Sequence, residues 1–398
     1  MKYYDNKEQN GLIIDWKMLQ REYHKLNVPS DYYQLPFARI EKGNKILIGL
    51  SERKTGKTTN WLLLGMLMNK HYDTVIQYVR ESETEISPSH ATKLFEVIRT
   101  YEGGRYIKQI TDGRWNDIYY HWKQFFYCNR DETGFITEKA PFPFMQFLSC
   151  DKSEDYKSTY NAPTGDLILF DEFIKQTYKP NTFIDFFNIL STVIRERKSP
   201  IVVMLANTIN RNSLWFEELE ISKTVKNMKK GESKEIITSK GTRIFVDMIE
   251  TGQKEKKKIF NRLFFGFSNP KLNAITGDEI WNFDNVPHII SGTQKIVLEN
   301  RIYIEHGIEL LQLEIVTNEE QGLHLEVHFA TRTHDDSIIL TLGEINDRRK
   351  RYGIGYGALP KKILKFIDRN LVYFSSNEVG SVFYDYLTQY KRTRIRFV

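Results

Sequence analysis

Lys45-Ile-Leu-Ile-Gly-Leu50-Ser51-Glu-Arg-Lys-Thr-Gly56-Lys57-Thr58-Thr59 is the stretch on which the reading of this chain turns. Its first six residues read as a short buried strand, Ser51 to Gly56 as a polar loop, and Lys57 to about Met68 as an apolar helix. Strand, loop and helix within so few residues open an α/β unit. The loop carries the Gly-Lys-Thr of a phosphate loop (Walker A). In that motif consecutive backbone N–H groups cradle phosphates, the lysine neutralises β/γ oxygens and the hydroxyl ligates Mg²⁺. Gly56, Lys57 and Thr58 match the pattern, Thr59 follows on the helix, and Ser51 stands where the first glycine usually does. A surface loop holding Gly-Lys-Thr by chance lacks this placement between a buried strand and an apolar helix.

Further apolar runs lie at Thr74–Val79, Phe144–Leu148, Leu167–Phe170 and Ile201–Leu205, with helical spacing across Thr182–Arg197. Continuous apolar strands alternating with helices predict a parallel sheet covered on both faces. Leu167-Ile-Leu-Phe170 ends in Asp171-Glu172 (Walker B). Asp171 at a strand's carboxyl end suits Mg²⁺, and Glu172 suits orienting and deprotonating an attacking water. The next strand ends at Asn207, placed either to sense a γ-phosphate or simply to form the turn. Arg195 and Arg197 close the preceding helix. They suit stabilising phosphoryl charge across a subunit interface, and equally suit complementing the helix dipole.

At 398 residues, 40% hydrophobic and 27% charged, the composition is that of a soluble globular chain with room for two domains. A net charge of +6 permits a polyanionic partner without demanding one. Cys128 and Cys150 have no disulfide framework or metal spacing, which suits a reducing cytoplasm. Nothing approaches the ~20 apolar residues of a membrane span, so no membrane partner is expected.

Near Asn210 the texture changes. Residues 211–262 are charged and irregular, and an antiparallel-looking series follows at Lys295–Glu299, Arg301–Glu305, Leu311–Val316, Leu323–Phe329 and Ile338–Leu342, then a helical tail at Glu378–Tyr390. The expected division is an ATPase-type domain over 1–210, a lid or linker over 211–292 and a smaller α+β domain over 293–398. His324-Leu-Glu-Val-His328 puts two imidazoles on one strand face, but no third ligand is evident, which argues against a metal. Arg348–Arg351, Lys361-Lys362, Lys391-Arg392 and Arg394 make the C-terminal part locally basic. Such clusters bind phosphates without reading bases, or are solvated charged faces.

Taken together these residues resemble the DNA-packaging ATPase (encapsidation protein) of small podoviruses whose motor includes a packaging RNA. The resemblance is carried by Ile48–Thr58, Gln77-Tyr-Val-Arg80, Leu169-Phe-Asp-Glu-Phe-Ile174, Thr192-Val-Ile-Arg195-Glu-Arg197, Met204-Leu-Ala-Asn207 and the tail from Leu371 to Tyr390. It implies a P-loop NTPase of the additional-strand, catalytic-glutamate (ASCE) class with ATP and Mg²⁺, followed by an RNase H-like domain that is a nuclease-inactive remnant. It implies Lys57 and Thr58 as phosphate and Mg²⁺ contacts, Arg53 as the arginine of the phosphate loop, Asp171 as metal ligand and Glu172 as catalytic base. Arg195 becomes an arginine finger offered to a neighbouring subunit, and Lys157 a trans-acting lysine.

The implied assembly is a ring, five-membered by resemblance, that drives double-stranded DNA into a procapsid in the host cytoplasm. It would act at the portal vertex, with portal and packaging RNA as further partners. DNA would be gripped by loops such as Arg80–Lys93 and Gly103-Gly104-Arg105. Two other readings stand beside this one. The first is a large-terminase-like motor whose C-terminal domain still cuts DNA with Glu305, Glu309, Glu314, Glu326, Asp335 and Asp336. The second is a non-hydrolysing nucleotide-binding scaffold.

Overall fold

The computed structural model describes residues 13–51, 55–159, 165–175, 180–195, 197–207, 213–250, 287–290, 294–354 and 358–395. The chain divides into two compact units, one holding most of the first 263 residues and the other mainly Phe264–Val398.

The first unit is built on ten described strands: β1 (Ile46–Leu50), β2 (Ile76–Arg80), β3 (Asp117–His121), β4 (Gln124–Arg130), β5 (Ile136–Lys139), β6 (Met145–Ser149), β7 (Leu167–Asp171), β8 (Ile201–Ala206), β9 (Ser233–Ile237) and β10 (Arg243–Met248). Their order is β3-β4-β6-β2-β7-β8-β1-β10-β9, with β5 on β4. From β6 through β10 every neighbouring pair is parallel. The expected parallel sheet is therefore present, and β8 is the additional strand between the two that carry the phosphate loop and the acidic pair. β3, β4 and β5 extend the sheet as an antiparallel edge. Their short aromatic runs do not alternate cleanly enough to be read as strands.

The helix Lys57–Tyr72 lies against this sheet. Every residue from Asn60 to Met68 is buried, as befits a central helix without a polar face. Full burial of each of its leucines contributes about 1.5–3 kcal/mol. Gly65 sets the approach: a Cβ there would stand 2.4 Å from Ile76 and 2.9 Å from Leu167. The lack of a side chain lets the helix settle directly on β2 and β7.

Part of the stretch expected to be a lid or linker takes another place. Residues 233–248 form β9 and β10, and β10 pairs along the whole of β1, from Ile46↔Ile244 to Leu50↔Met248. Burial explains it: Ile244, Phe245, Val246 and Met248 are buried, with Arg243 exposed and Asp247 half-buried, a short apolar run that suits an inner strand.

The second unit has a six-stranded described sheet, ordered β15-β14-β11-β12-β13-β16. Its members are β11 (Ile296–His306), β12 (Glu309–Asn318), β13 (Gly322–Phe329), β14 (Ile338–Thr341), β15 (Lys350–Tyr352) and β16 (Val372–Phe374). β11, β12 and β13 form an antiparallel meander, and β14 runs parallel to β11. The stretches Lys295–Glu299 and Arg301–Glu305, read as two strands, are one. Irregular pairing around Glu299 bends β11 instead of ending it. Ile363, Phe366, Val379, Val382 and Phe383 from the helices Ala358–Asp368 and Asn377–Ile395 pack with Leu311, Leu313, Leu325 and Val327.

At the start of β7, Asp166 is 1% exposed and its Oδ2 has no hydrogen-bond partner. Burial pushes its carboxyl up to about 6, against the pull of Arg197 and Lys45. A carboxyl raised above its unfolded value binds its proton more tightly in the folded state. Its ionisation therefore opposes folding at neutral pH, and the penalty fades as pH falls through about 6 toward the ordinary carboxylate range. Asp166→Asn should raise unfolding stability by about 1–3 kcal/mol near pH 8. The gain should disappear at about pH 4 when denaturant curves are compared.

Candidate active site

Register brings the ends of three neighbouring strands level. Leu50 of β1 pairs with Ala206 of β8, and Leu205 of β8 with Asp171 of β7. Beyond these pairs, at the carboxyl edge of the sheet, stand Ser51 level with Asn207, and Glu172 one residue short of Asn207. Ligands of open α/β sheets bind at this edge.

Gly56 caps the helix Lys57–Tyr72 in the left-handed region at φ 79°. A Cβ there would also stand 2.5 Å from the Tyr32 ring, so glycine is required twice over. Ser51, the departure from the glycine-first pattern, is buried. Its hydroxyl lies 2.9 Å from Thr55 Oγ1, and its N–H donates to Ala206 O at 3.2 Å. The hydroxyl thus ties the two ends of the loop together. Arg53, between them, lies outside the described residues.

The side chains meet as a network. Lys57 Nζ donates to Asn207 Oδ1 at 2.5 Å, and Asn207 Nδ2 donates to Glu172 Oε1 at 3.1 Å. Thr58 Oγ1 donates to Asp171 Oδ2 at 3.1 Å. Tyr78 donates to the same oxygen at 2.7 Å. Burial, then the adjacent Asp171 charge, raises the Tyr78 hydroxyl well above its ordinary value, so it stays a donor. Glu172 has φ 54°, unusual for a residue other than glycine. Arg80 NH2 holds its carboxylate at 2.6 Å, Lys175 lies 3.6 Å from it, and both cations also reach Glu85.

Lys57, Thr58, Asp171, Glu172 and Asn207 thus converge. Arg195 does not join them: it is exposed in the turn after the helix Pro180–Val193. Lys157 is on the helix Ser153–Thr159, with its side chain outside the described residues. Tyr78, Arg80 and Lys175 were not singled out for these contacts from the sequence. Alternation places Tyr78 and Arg80 on one face of β2, but only the strand order puts that face beside β7.

A cavity of about 330 Å³ opens beside Gly56, lined by Val28, Tyr32, Thr59, Asn60, Leu63 and Tyr101 among others. It is aromatic and apolar, with Thr59 at the phosphate-loop end. Tyr33, next to Tyr32, is bound to both sides of this region. Its N–H donates to Thr55 O at 2.9 Å, and its carbonyl accepts from the Asn60 amide.

No family model matches the chain, and no curated protein matches it. Among solved structures it is similar to the Phi-28 gp11 DNA packaging motor, at 18% identity over 90% of this chain and 98% of that one, with a TM-score of 0.50. It is also similar to a chain of the bacteriophage Phi-29 viral genome packaging motor assembly. There identity is 15% over 91% of this chain and 100% of that one, with a TM-score of 0.52. These likenesses are of fold, and together with the strand order and loop they define a P-loop NTPase fold.

Gly56→Ala should lower unfolding stability by about 1–3 kcal/mol, because it both strains the backbone and strikes Tyr32. Adding Tyr32→Ala should restore only the steric part, leaving the double variant between Gly56→Ala and Tyr32→Ala in denaturant unfolding.

Proposed function

We propose that this chain is an ATPase that drives double-stranded DNA into a viral procapsid. The observation that carries the reading is the convergence of Lys57, Thr58, Asp171, Glu172 and Asn207 at one sheet edge, with Asn207 joining Lys57 to Glu172. A solvated strand end would not hold its carboxylate on the amide that also holds the phosphate-loop lysine.

The residues divide the work. Backbone N–H groups at the start of the helix Lys57–Tyr72 and the Lys57 ammonium would receive the β- and γ-phosphates. Thr58 and Asp171 offer an oxygen pair 3.1 Å apart, a donor set that fits Mg²⁺. Bound there, Mg²⁺ would neutralise charge developing on the phosphate oxygens. Glu172 takes the proton of the attacking water, and Asn207 reports on the γ-phosphate through its bond to Lys57. The aromatic cavity beside Gly56 suits the base of the nucleotide. Arg195, exposed, is available to complete a neighbour's site in a ring, with Lys157 and Arg53 as further cationic contributors. A ring of five at a portal, with packaging RNA as an additional partner, extends the same reading. So does DNA contact within the Arg80–Lys93 stretch, by exposed Lys93 and not by Arg80, which Glu172 and Glu85 hold at the site.

The second unit is read as RNase H-like without nuclease activity. Among the described residues Glu314, Glu326 and His328 form one group close enough to hold a single ion, whereas Glu305 pairs with Lys350 at 2.6 Å and Asp336 with Arg301. A two-metal nuclease needs carboxylates placed to hold both ions. Among the described residues no helix is long and apolar enough to cross a membrane.

Glu172→Gln should retain ATP binding while turnover falls by about 10²–10⁴-fold. A scaffold that never hydrolyses would show no turnover to lose. Arg195→Ala should lower turnover by about 10³-fold or more in the assembled ring and leave nucleotide affinity of the single chain unchanged. Normal hydrolysis by an Arg195→Ala ring would remove the finger role. Plasmid DNA incubated with the full chain and Mg²⁺ or Mn²⁺ should stay uncut.

A further inference from the structure

We propose that the second unit carries a binding site for a single divalent transition-metal ion, of the zinc class, made by Glu314, Glu326 and His328. The site lies on the face of β12 and β13 opposite the helices Ala358–Asp368 and Asn377–Ile395. On that face Glu314 is directly across from Glu326, and His324, Glu326 and His328 follow one another at every second residue of β13. One carboxylate oxygen from each glutamate and one imidazole nitrogen of His328 lie within 4.8 Å of each other. Glu314 is therefore the third ligand that inspection of His324-Leu-Glu-Val-His328 alone does not find, because only strand pairing brings it there.

The spacing fits a metal. His328 Nε2 is 3.3 Å from Glu326 Oε2 and 3.7 Å from Glu314 Oε2. Ligands bonded to zinc at about 2.0–2.2 Å in tetrahedral geometry stand about 3.3–3.5 Å apart. One imidazole and two carboxylates, with water as fourth ligand, is a donor set for a borderline cation of this kind.

His324 supplies an independent observation. It is fully buried, and its Nδ1 lies 2.8 Å from Gly322 O. A carbonyl only accepts, so Nδ1 carries the proton, and Nε2 faces Glu326 Oε1 at 3.4 Å. The buried Glu326 carboxylate thus lies between two imidazoles, and His324 Nε2 donates to it only when that nitrogen carries a proton as well. Neighbours of a ligating carboxylate that are not ligands themselves fix its orientation. His324 acts as a positioning residue for Glu326.

A cation already occupies the centre. Lys295 Nζ lies 2.5 Å from Glu326 Oε2 and 3.0 Å from Glu314 Oε2, the two oxygens the ion would use. Lys295 is one-third exposed and comes from the residue before β11, so it can withdraw without disturbing the sheet. Metal and ammonium are alternatives at one place, and occupancy by the ion releases Lys295. This inference does not depend on the ATPase reading of the first unit.

The test is Co²⁺ titration of the full, nucleotide-free chain after chelator treatment, read by visible absorption and thermal unfolding. The expected result is one equivalent of Co²⁺ with the intense bands of a four-coordinate site, displaced by Zn²⁺ and accompanied by a rise in Tm. Lys295→Met should bind several-fold tighter, because the competing ammonium is gone. His328→Gln and Glu314→Gln, both at partly exposed positions, should lose the bands while unfolding as cooperatively as the parent chain. His324→Ala should weaken affinity by about 10–100-fold without abolishing the bands. Asp171→Asn, in the first unit, should leave them intact. No four-coordinate band in either the parent chain or Lys295→Met would overturn the proposal. So would bands that survive His328→Gln or vanish in Asp171→Asn.

Discussion

The bridge from Lys57 through Asn207 to Glu172 depends on one constraint: β8 lies between β1 and β7 with its end in register with both. The two hydrogen bonds of the Asn207 side chain run in opposite directions across that strand. Its carbonyl accepts from the lysine that would hold phosphate, and its amide donates to the carboxylate that would activate water. A shift of one residue in β8 would turn Asn207 to the other face and break both. Burial maintains the register, since every residue of β7 and β8 is buried. The helix Lys57–Tyr72, seated on β2 and β7 through Gly65, holds the phosphate loop at the same edge.

The electrostatics of that edge are balanced by pairing. Glu172 faces Arg80 and Lys175 as well as Asn207, and Glu85 compensates the two cations in turn. Arg80 is mostly buried, with 15% side-chain exposure, so removing its carboxylate partners would leave a charge poorly solvated.

Much of this was legible in the chain. Apolar runs ending at Leu50, Phe170 and Leu205 gave the strands, and the polar residues immediately beyond them gave the candidate site. What periodicity could not reveal was adjacency between elements distant in sequence. Tyr78 and Arg80 belong to the site only because β2 pairs with β7. Residues 233–248 read as part of a charged linker because the apolar run of Ile244, Phe245 and Val246 is short and set among charged residues, yet β10 extends the sheet beside β1. Glu314 joins His328 for the same reason, through the pairing of β12 with β13. Arg53 lies outside the described residues. Arg195 does not join the site of its own chain, and the role across a subunit interface given to it belongs to the proposed function.

The two units carry charge in different ways. In the first, acids and cations converge beside a cavity and a helix N-terminus, where a polyphosphate would complete the balance. In the second, Glu314 and Glu326 share the single ammonium of Lys295, two acids to one cation. The central claim is that the first arrangement turns over ATP in the service of moving DNA. It is tested most directly by steady-state ATP hydrolysis of the full chain with and without double-stranded DNA and empty procapsids. The account predicts Mg²⁺-dependent turnover that rises when both are present. Turnover that is absent under all conditions, or indifferent to DNA and procapsid, would contradict it.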